Sequence, residues 1–159
     1  MNAHMRVIGL DVGERRIGVA ISDATRTLAR PVGVLQVSRL DAAAVVRAAD
    51  EVARLAGEDD GVSTIVVGLP RRLDGRPNAM TPRVQAFAEQ LGVRTGLPIV
   101  LQDERLTSHE AESLLAERDK DWRSRKKRLD AMAAAIILQD HLDHLDTLGR
   151  LGHLDGSPH

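Results

Sequence analysis

Acidic residues at three separate places in the chain have surroundings that could support metal-ion chemistry. The first is Asp11, which interrupts the apolar segment Val7–Val12. A carboxylate in a buried strand is too costly to keep ionised without a cation beside it, and Gly9, on the same face of the strand, leaves room for a ligand. The spacing equally allows a structural role, in which turn amides or an arginine of the next turn, Arg15 or Arg16, satisfy the acid.

The second acidic position is the pair Asp103 and Glu104, which follows an apolar segment and precedes a helix expected to begin near Thr107. Strand ends that lead into loops are common catalytic positions in α/β sheets, but negative charge before a helix is also favourable by itself. Neighbouring residues of an extended chain point to opposite faces, so only one of the two acids is expected to meet Asp11.

The third position is Asp130, which shares a helix face with Ala134, Ile137 and Leu138. That apolar face should pack on the sheet, so Asp130 could point at the same place as Asp11; it could also simply cap the helix. Three acids on three elements indicate a carboxylate cage for a hard cation such as Mg²⁺ or Mn²⁺. Such a cation can activate water for attack on a phosphodiester.

The elements that must position these acids follow from the apolar spacing. An antiparallel meander of three strands is expected first, with Pro31 marking the start of the third strand, and strands then alternate with helices. This order predicts one α/β domain over residues 1–159, with an ordered core of about 6–148, a frayed tail, and a mixed five-stranded sheet with helices on both faces. The predicted strands are Val7–Val12, Arg16–Ser22, Val32–Val37, Thr64–Val67 and Pro98–Gln102; the predicted helices are Leu40–Leu55, one from an N-cap at Thr81 to Gly92 or Gly96, Thr107–Glu117 and Leu129–Leu148.

Composition limits the partners and the location. The chain has no cysteine, which excludes thiolate zinc sites, and neither a membrane-spanning apolar run nor a secretory signal is recognisable, so a cytoplasmic protein is expected. The net charge of −1 means that nucleic-acid binding must rest on local basic patches. Only Phe87 and Trp122 are aromatic, so backbone and shape recognition is favoured over base stacking.

Five motifs occur in order along the chain: Gly9–Gly13, Arg16–Asp23, Val66–Pro70, Asp103–Thr107, and Asp130–Ala134 with Ile137–Gln139. Together they resemble the YqgF/RuvX family of pre-16S ribosomal RNA nucleases and Holliday junction resolvases, over roughly residues 6–146. The resemblance implies a ribonuclease H-like fold and a divalent-metal-dependent nuclease, a hydrolase that matures the 5′ end of 16S ribosomal RNA, cuts branched DNA, or does both.

Carried over by position, the resemblance implies Asp11 as the metal ligand on the first strand, Glu104 as the second acid and Asp130 as the acid of the final helix, with Asp103 in reserve. One departure matters: many relatives of this fold carry an acid on the fourth strand, where this chain has Gly68-Leu69-Pro70. The second acidic role therefore moves to Glu104. Phosphate contacts are predicted on the basic segments, at Arg71, Arg72, Arg76, Arg105, Arg125, Lys126 and Lys127.

Other positions have weaker patterns. His141 and His144 could bind a transition metal, but a solvated helix surface with an exposed His141 is the favoured interpretation. Asp23 is expected to cap a turn. Apolar positions from Leu142 onward allow a homodimer, which would suit a resolvase that needs paired sites.

Two alternatives to the nuclease stay open. A non-catalytic ribosome-assembly or recombination factor could use the same basic loops with an inert acidic site. An actin-like ATP-binding fold also opens with an Asp-x-Gly hairpin, but it needs two such domains and this chain has room for one.

Overall fold

The computed structural model describes residues 5–58, 60–72, 74–103 and 130–145, and a five-stranded sheet in the order β3-β2-β1-β4-β5 lies at its centre. The strands β1 to β3 are antiparallel neighbours, whereas β1, β4 and β5 run parallel. This confirms the predicted mixed α/β sheet. The strands are β1 Arg6–Val12, β2 Arg16–Ser22, β3 Ala29–Gln36, β4 Val62–Leu69 and β5 Ile99–Asp103; the helices are α1 Ala42–Ala56, α2 Thr81–Thr95 and α3, helical throughout the described residues 130–145.

Helices cover both faces of the sheet. Alternate residues of β1, such as Ile8 and Leu10, point toward α1 and α2 and form the larger core with Ile65 of β4. We call this side the α1–α2 face. The intervening residues, such as Val7, form a smaller core with Leu138 of α3, and we call this side the α3 face.

The third strand begins earlier than the sequence predicts. Pro31 does not start β3 but lies inside it, opposite Ala20, where the register with β2 shifts between Val19 and Ala20. The prediction was wrong because β3 is the edge strand of the sheet. An edge strand with a bulge tolerates a residue that cannot donate to the ladder.

The start of α2 also differs by one residue from the prediction. Met80 is the N-cap and Thr81 is already helical. The Thr81 hydroxyl donates to the carbonyl of Pro70, and the backbone N–H groups of Met80 and Thr81 donate instead to the side-chain oxygen of Asn78. Asn78 therefore supplies the cap that the sequence assigned to Thr81, and Gly96 ends the helix with a φ of 72°.

Two polar side chains hold α3 and the β2–β3 turn in place. Gln139 of α3 accepts from the backbone N–H of Ala29 at 2.9 Å and donates to the carbonyl of Thr27 at 2.9 Å. Asp23 accepts from the N–H groups of Thr27 and Leu28, as expected for a turn cap, and the Thr27 bond chiefly lowers the pKa of its carboxyl. These bonds position α3 over the strands that carry the acids.

His141 is buried, so the predicted exposed position is wrong. It is 7% exposed and lies three and four residues after Leu138 and Ile137, which places it on the apolar stripe of α3. Burial, and secondarily the charge of the exposed His144, lower the pKa of His141.

Candidate active site

Asp11 lies near the end of β1, with its side chain on the α3 face. A Cβ added to Gly9, two residues earlier, would meet Cβ of Leu138 at 2.7 Å, so this side of β1 faces α3. Side chains two residues apart on a strand share a face, and Asp11 is only partly buried. The first predicted ligand is therefore accessible to solvent and beside the final helix.

Asp130 meets the same place from α3. Gly18 of β2 is the cross-strand partner of Asp11, and a Cβ added to Gly18 would collide with the backbone carbonyl of Asp130. Because paired residues of neighbouring strands point to the same side, Asp11 and the start of α3 occupy adjoining positions on one face. The structure thus brings together two acids that are far apart in the sequence.

Arg16 is a third charged residue at this end of the α3 face. It precedes Gly18 by two residues on β2, and its Nη1 lies 3.5 Å from Oδ2 of Asp130. The side chains are 25% and 30% exposed, so water screens the pair only in part. Sequence reasoning considered Arg16 as a structural partner of Asp11; the ion pair that the structure shows is with Asp130.

The structure separates Asp103 from these acids. Asp103 is paired with Leu69 of β4, and Leu69 belongs to the core of the α1–α2 face. Asp103 therefore lies on the opposite side of the sheet from Asp11, while its neighbour Gln102 is on the α3 face. Glu104, the predicted second acid, lies outside the described residues.

The acidic side chains on the α3 face are of the chemical type that binds a hard divalent cation. Asp11 and Asp130 offer carboxylate oxygens, which Mg²⁺ and Mn²⁺ prefer, and Gly18 lets the start of α3 approach β2. Within the described ranges, no three histidine, aspartate or glutamate side chains gather as a metal site. The third predicted ligand, Glu104, is beyond those ranges.

The predicted phosphate-binding arginines that the structure describes lie in a turn after β4. Arg71 pairs with Pro77 as an isolated bridge, and the N–H of Arg72 donates to the carbonyl of Arg76 at 2.8 Å. These contacts form a small hairpin that turns at Gly75, which has a φ of 88°. Arg72 and Arg76 are exposed on it.

An ion pair connects α2, which follows this hairpin, to the turn between β1 and β2. Arg83 of α2 donates to Glu14 at 2.7 Å, and both side chains are largely exposed. The remaining predicted phosphate contacts, Arg105, Arg125, Lys126 and Lys127, lie outside the described residues.

Comparison with known proteins decides the family. The chain matches the family described as "RuvX: Holliday junction resolvase" over residues 5–144. It belongs to this family. The membership confirms the relationship that the five motifs predict, and with it the nuclease class of hydrolases.

Relatives of similar length support the same assignment. The chain is 42% identical to a protein of Pelotomaculum thermopropionicum over 87% of each chain, and 42% identical to one of Anaeromyxobacter over 87% of this chain and 97% of the relative. Both carry the name "Putative pre-16S rRNA nuclease".

A solved structure confirms the fold. The RuvC protein of T. thermophilus in complex with a Holliday junction substrate has a TM-score of 0.51 and 17% identity, over 84% of this chain and 92% of that one. The ribonuclease H-like architecture predicted from the motifs is therefore shown.

Two further predictions concern membrane insertion and self-association. Among the described residues, none of the helices has the length and apolar character required to cross a bilayer. Assembly of two copies of the chain stays a prediction.

Proposed function

We propose that this RuvX-family protein is a divalent-metal-dependent nuclease that hydrolyses phosphodiester bonds in structured nucleic acid in the cytoplasm. Its active site would consist of Asp11, Glu104 and Asp130, with Mg²⁺ or Mn²⁺ as the cofactor. The observation that carries the proposal is the close approach of the Asp130 backbone to Gly18, directly opposite Asp11. Packing of a hydrophobic core does not require the backbone of a helix to come this close to a strand at a position that lies between two acids, Asp11 and Asp130.

Asp103 has no part in the proposed ligand set, because it lies on the other face of the sheet. Glu104 is the acid we assign from that pair. Arg16 would hold the carboxylate of Asp130 through the 3.5 Å ion pair. The same guanidinium would repel a cation at this carboxylate, so the ion pair would have to loosen when the metal binds.

The chemistry divides between a bound cation and the residues around it. A divalent cation in this site would supply an activated water and neutralise charge on the phosphate. The protein's own groups would orient the substrate: Arg72 and Arg76 present exposed guanidinium groups that can contact backbone phosphates. We assign the same role to Arg71, Arg105, Arg125, Lys126 and Lys127.

The proposed substrates come from the proteins that this chain resembles. The curated relatives are named as nucleases of pre-16S rRNA, and the family description is that of a Holliday junction resolvase. Both substrates are structured, and recognition through phosphates suits both. We favour maturation of the 5′ end of pre-16S rRNA because the relatives with that name are 42% identical to this chain.

Replacing Asp11 tests the proposal. Asp11→Asn keeps the shape of the side chain but removes its charge, so Mn²⁺-dependent cleavage of a labelled pre-16S fragment or a four-way junction should fall to background. The thermal midpoint should change little, because the side chain is only partly buried. Cleavage is followed on denaturing gels and folding by circular dichroism.

The matched control is Asp50→Asn, which makes the same charge change at an exposed position of α1 and should cleave at the normal rate. Full activity of Asp11→Asn would remove this residue from the mechanism. Tight binding of the RNA in chelator, with no cleavage at any Mg²⁺ or Mn²⁺ concentration, would favour the non-catalytic assembly factor instead.

A further inference from the structure

An exposed ion pair lies at the edge of the sheet where β1 ends. It joins Arg83, in the first turn of α2, to Glu14, in the turn between β1 and β2. Nη1 of Arg83 lies 2.7 Å from Oε1 of Glu14, although 69 positions separate the two residues in the chain. Neither residue belongs to the proposed ligand set or to the proposed phosphate contacts. We call this contact the Arg83–Glu14 pair.

The pair lies close to the proposed active site. Glu14 follows Asp11 by three residues, so their Cα atoms are at most about 10 Å apart. The N–H of Gly13 donates to the carbonyl of Arg16 at 2.8 Å, which closes the turn and leaves Glu14 at its tip. Arg83 therefore reaches the short loop that joins Asp11 to Arg16.

The hairpin after β4 brings two further guanidinium groups to this edge. The strands β1 and β4 are parallel neighbours, so both end here. The Thr81 hydroxyl, which donates to the carbonyl of Pro70, holds the start of α2 against the end of β4. Arg72 and Arg76 lie on the hairpin between these two points and are exposed. Together with Arg83 they form a row of three exposed arginines in one short segment.

The stability of α2 does not account for Arg83. A basic side chain in the first turn of a helix opposes the helix dipole, and the first turn of α2 has no acidic residue to offset it. The side chains of the Arg83–Glu14 pair are 44% and 64% exposed, and such pairs stabilise a folded protein very little. An anionic ligand would account for a guanidinium at this position better than the fold does.

A phosphate can replace Glu14 as the partner of Arg83. The planar guanidinium binds carboxylates and phosphates through the same N–H donors. Among the residues that the structure describes, its bonds come from Nη1 alone, to Glu14 at 2.7 Å and to Sδ of Met80 at 3.4 Å. Because the pair is exposed, separating its two charges costs little. Rotation of two surface side chains is enough for the exchange.

We propose that Arg83 binds a backbone phosphate of the nucleic-acid substrate, and that Glu14 holds the guanidinium until this phosphate replaces it. The proposal rests on the proposed nuclease function. In the free protein, Glu14 neutralises Arg83 and keeps it beside the loop that follows Asp11. In the complex, Arg83 joins Arg72 and Arg76 in contacting the backbone.

The two residues of the pair should therefore affect binding in opposite directions. Arg83→Gln removes a phosphate contact and should weaken binding roughly tenfold. Glu14→Gln removes the competitor of the phosphate and should tighten binding roughly two- to fivefold. If the pair only stabilised the turn, both substitutions would break the same bond and change the affinity in the same direction.

Fluorescence anisotropy in EDTA measures this binding without cleavage. The probes are a fluorescein-labelled four-way DNA junction and a fluorescein-labelled pre-16S RNA fragment, each titrated at several KCl concentrations. Arg83→Gln should lower the slope of log K against log [KCl] by about 1, the value for one phosphate contact. Arg83→Lys keeps the charge and should retain the slope and most of the affinity.

The controls make the same charge changes farther along α2. Arg94→Gln and Glu89→Gln alter exposed residues of this helix, and neither should change the affinity or the salt dependence. Arg94 lies about three turns after Arg83, roughly 16 Å along the helix axis. Thermal unfolding checks that all variants are folded, which is expected because every substituted side chain is exposed.

A double-mutant cycle separates exchange of partners from simple charge repulsion. In the Arg83→Gln background, the gain from Glu14→Gln should fall to less than about 1.5-fold, because no guanidinium remains to be released. Equal gains in the two backgrounds would overturn the exchange. Unchanged affinity of Arg83→Gln would also overturn it, and so would weaker binding by Glu14→Gln.

These results do not depend on the metal site, because EDTA removes divalent cations from every titration. A protein that shows the opposite effects of Arg83→Gln and Glu14→Gln but never cleaves refutes the nuclease proposal alone. A protein that cleaves with Mn²⁺, and whose Arg83→Gln variant binds as tightly as the wild type, refutes the exchange alone.

Discussion

The two faces of β1 differ in how they approach their helices. On the α1–α2 face, Ile8 and Leu10 fill the space between sheet and helices with large side chains. On the α3 face, α3 comes so close to the sheet that a Cβ on Gly9 would meet Cβ of Leu138, and one on Gly18 would collide with the backbone carbonyl of Asp130. One face is packed by large side chains, and the other combines a smaller hydrophobic core with close backbone contacts.

This difference matters for function because the two kinds of packing respond differently to substitution. Side chains in a core can shift, and a lost methylene leaves a cavity whose cost depends on how well the site collapses. A helix in contact with a strand through its backbone cannot adjust without moving as a whole. The α3 face thus fixes Asp130 relative to Asp11, and the α1–α2 face contains the larger hydrophobic core.

Gly18→Ala should have the largest effect. The new Cβ would collide with the carbonyl of Asp130, so the start of α3 must move away from β2 and from Asp11. Overpacking of this kind costs about 1–3 kcal/mol of stability, and a misplacement of about 1 Å can lower the cleavage rate by roughly 100-fold. Both are measured on the same protein, by thermal unfolding and by Mn²⁺-dependent cleavage.

Gly33→Ala is the matched control. Gly33 also lies on a strand, but nothing stands within 4 Å of an added Cβ, so activity and stability should remain close to those of the wild type. If Gly18→Ala cleaves as fast as Gly33→Ala, the close contact between Gly18 and the Asp130 carbonyl does not position the acids of the active site.

Ile65→Ala should affect stability but not the chemistry. Ile65 is fully buried on the α1–α2 face, between Ile8 and Ile99 of the neighbouring strands. Removing its outer methyl and methylene groups should lower the free energy of unfolding by about 2–5 kcal/mol. The turnover of the folded fraction should remain near the wild-type value. A loss of turnover as large as in Gly18→Ala would show that the two faces are not independent.

Much of this arrangement could be predicted from the sequence because the relevant signals are local. An acid inside an apolar strand is anomalous wherever it occurs, so the sequence alone singles out Asp11. The burial of His141 also has a signal in the sequence, since it follows Ile137 and Leu138 at helical spacing; the exposed charged residues Asp140 and Asp143 beside it obscure that signal.

Other features depend on contacts between distant segments. The ion pair of Arg16 with Asp130 and the opposite position of Asp103 follow from strand register and from how α3 lies on the sheet. Pairing one residue earlier or later would have reversed the faces of Asp103 and its neighbours. The sequence therefore predicted that Asp130 could meet Asp11, but not the face on which Asp103 lies.

Arg16→Ala should have a smaller effect, which is on metal binding at the α3 face. The guanidinium lies 3.5 Å from the Asp130 carboxylate and repels a cation that binds there, so its removal should lower the half-saturating Mn²⁺ concentration by roughly three- to tenfold. Stability should change by less than about 1 kcal/mol, since the pair is partly exposed. Calorimetry measures the Mn²⁺ affinity.

Arg15→Ala removes the same charge from an exposed neighbouring position and should leave the Mn²⁺ affinity nearly unchanged. Equal affinities for the two arginine variants and the wild type would mean that Asp130 does not bind the metal.

The smallest expected effect is a pH dependence of stability that arises from His141 on the α3 face. The pKa of His141 is lowered in the folded protein by burial and by His144, relative to its ordinary value of 6.5. Below about pH 6.5 the unfolded chain takes up a proton that the folded chain resists, so the unfolded state binds more protons and stability falls as pH falls. Above that pH both states are neutral and the contribution is complete. The slope should not exceed about 1.4 kcal/mol per pH unit, the value for one proton.

Denaturant unfolding between pH 5 and about pH 8 measures this slope. His141→Leu should reduce the slope, while His144→Gln, at an exposed site, should retain most of it. A slope unchanged in His141→Leu would show that another group controls the acid sensitivity, and that the packing of α3 is not coupled to the protonation of this residue.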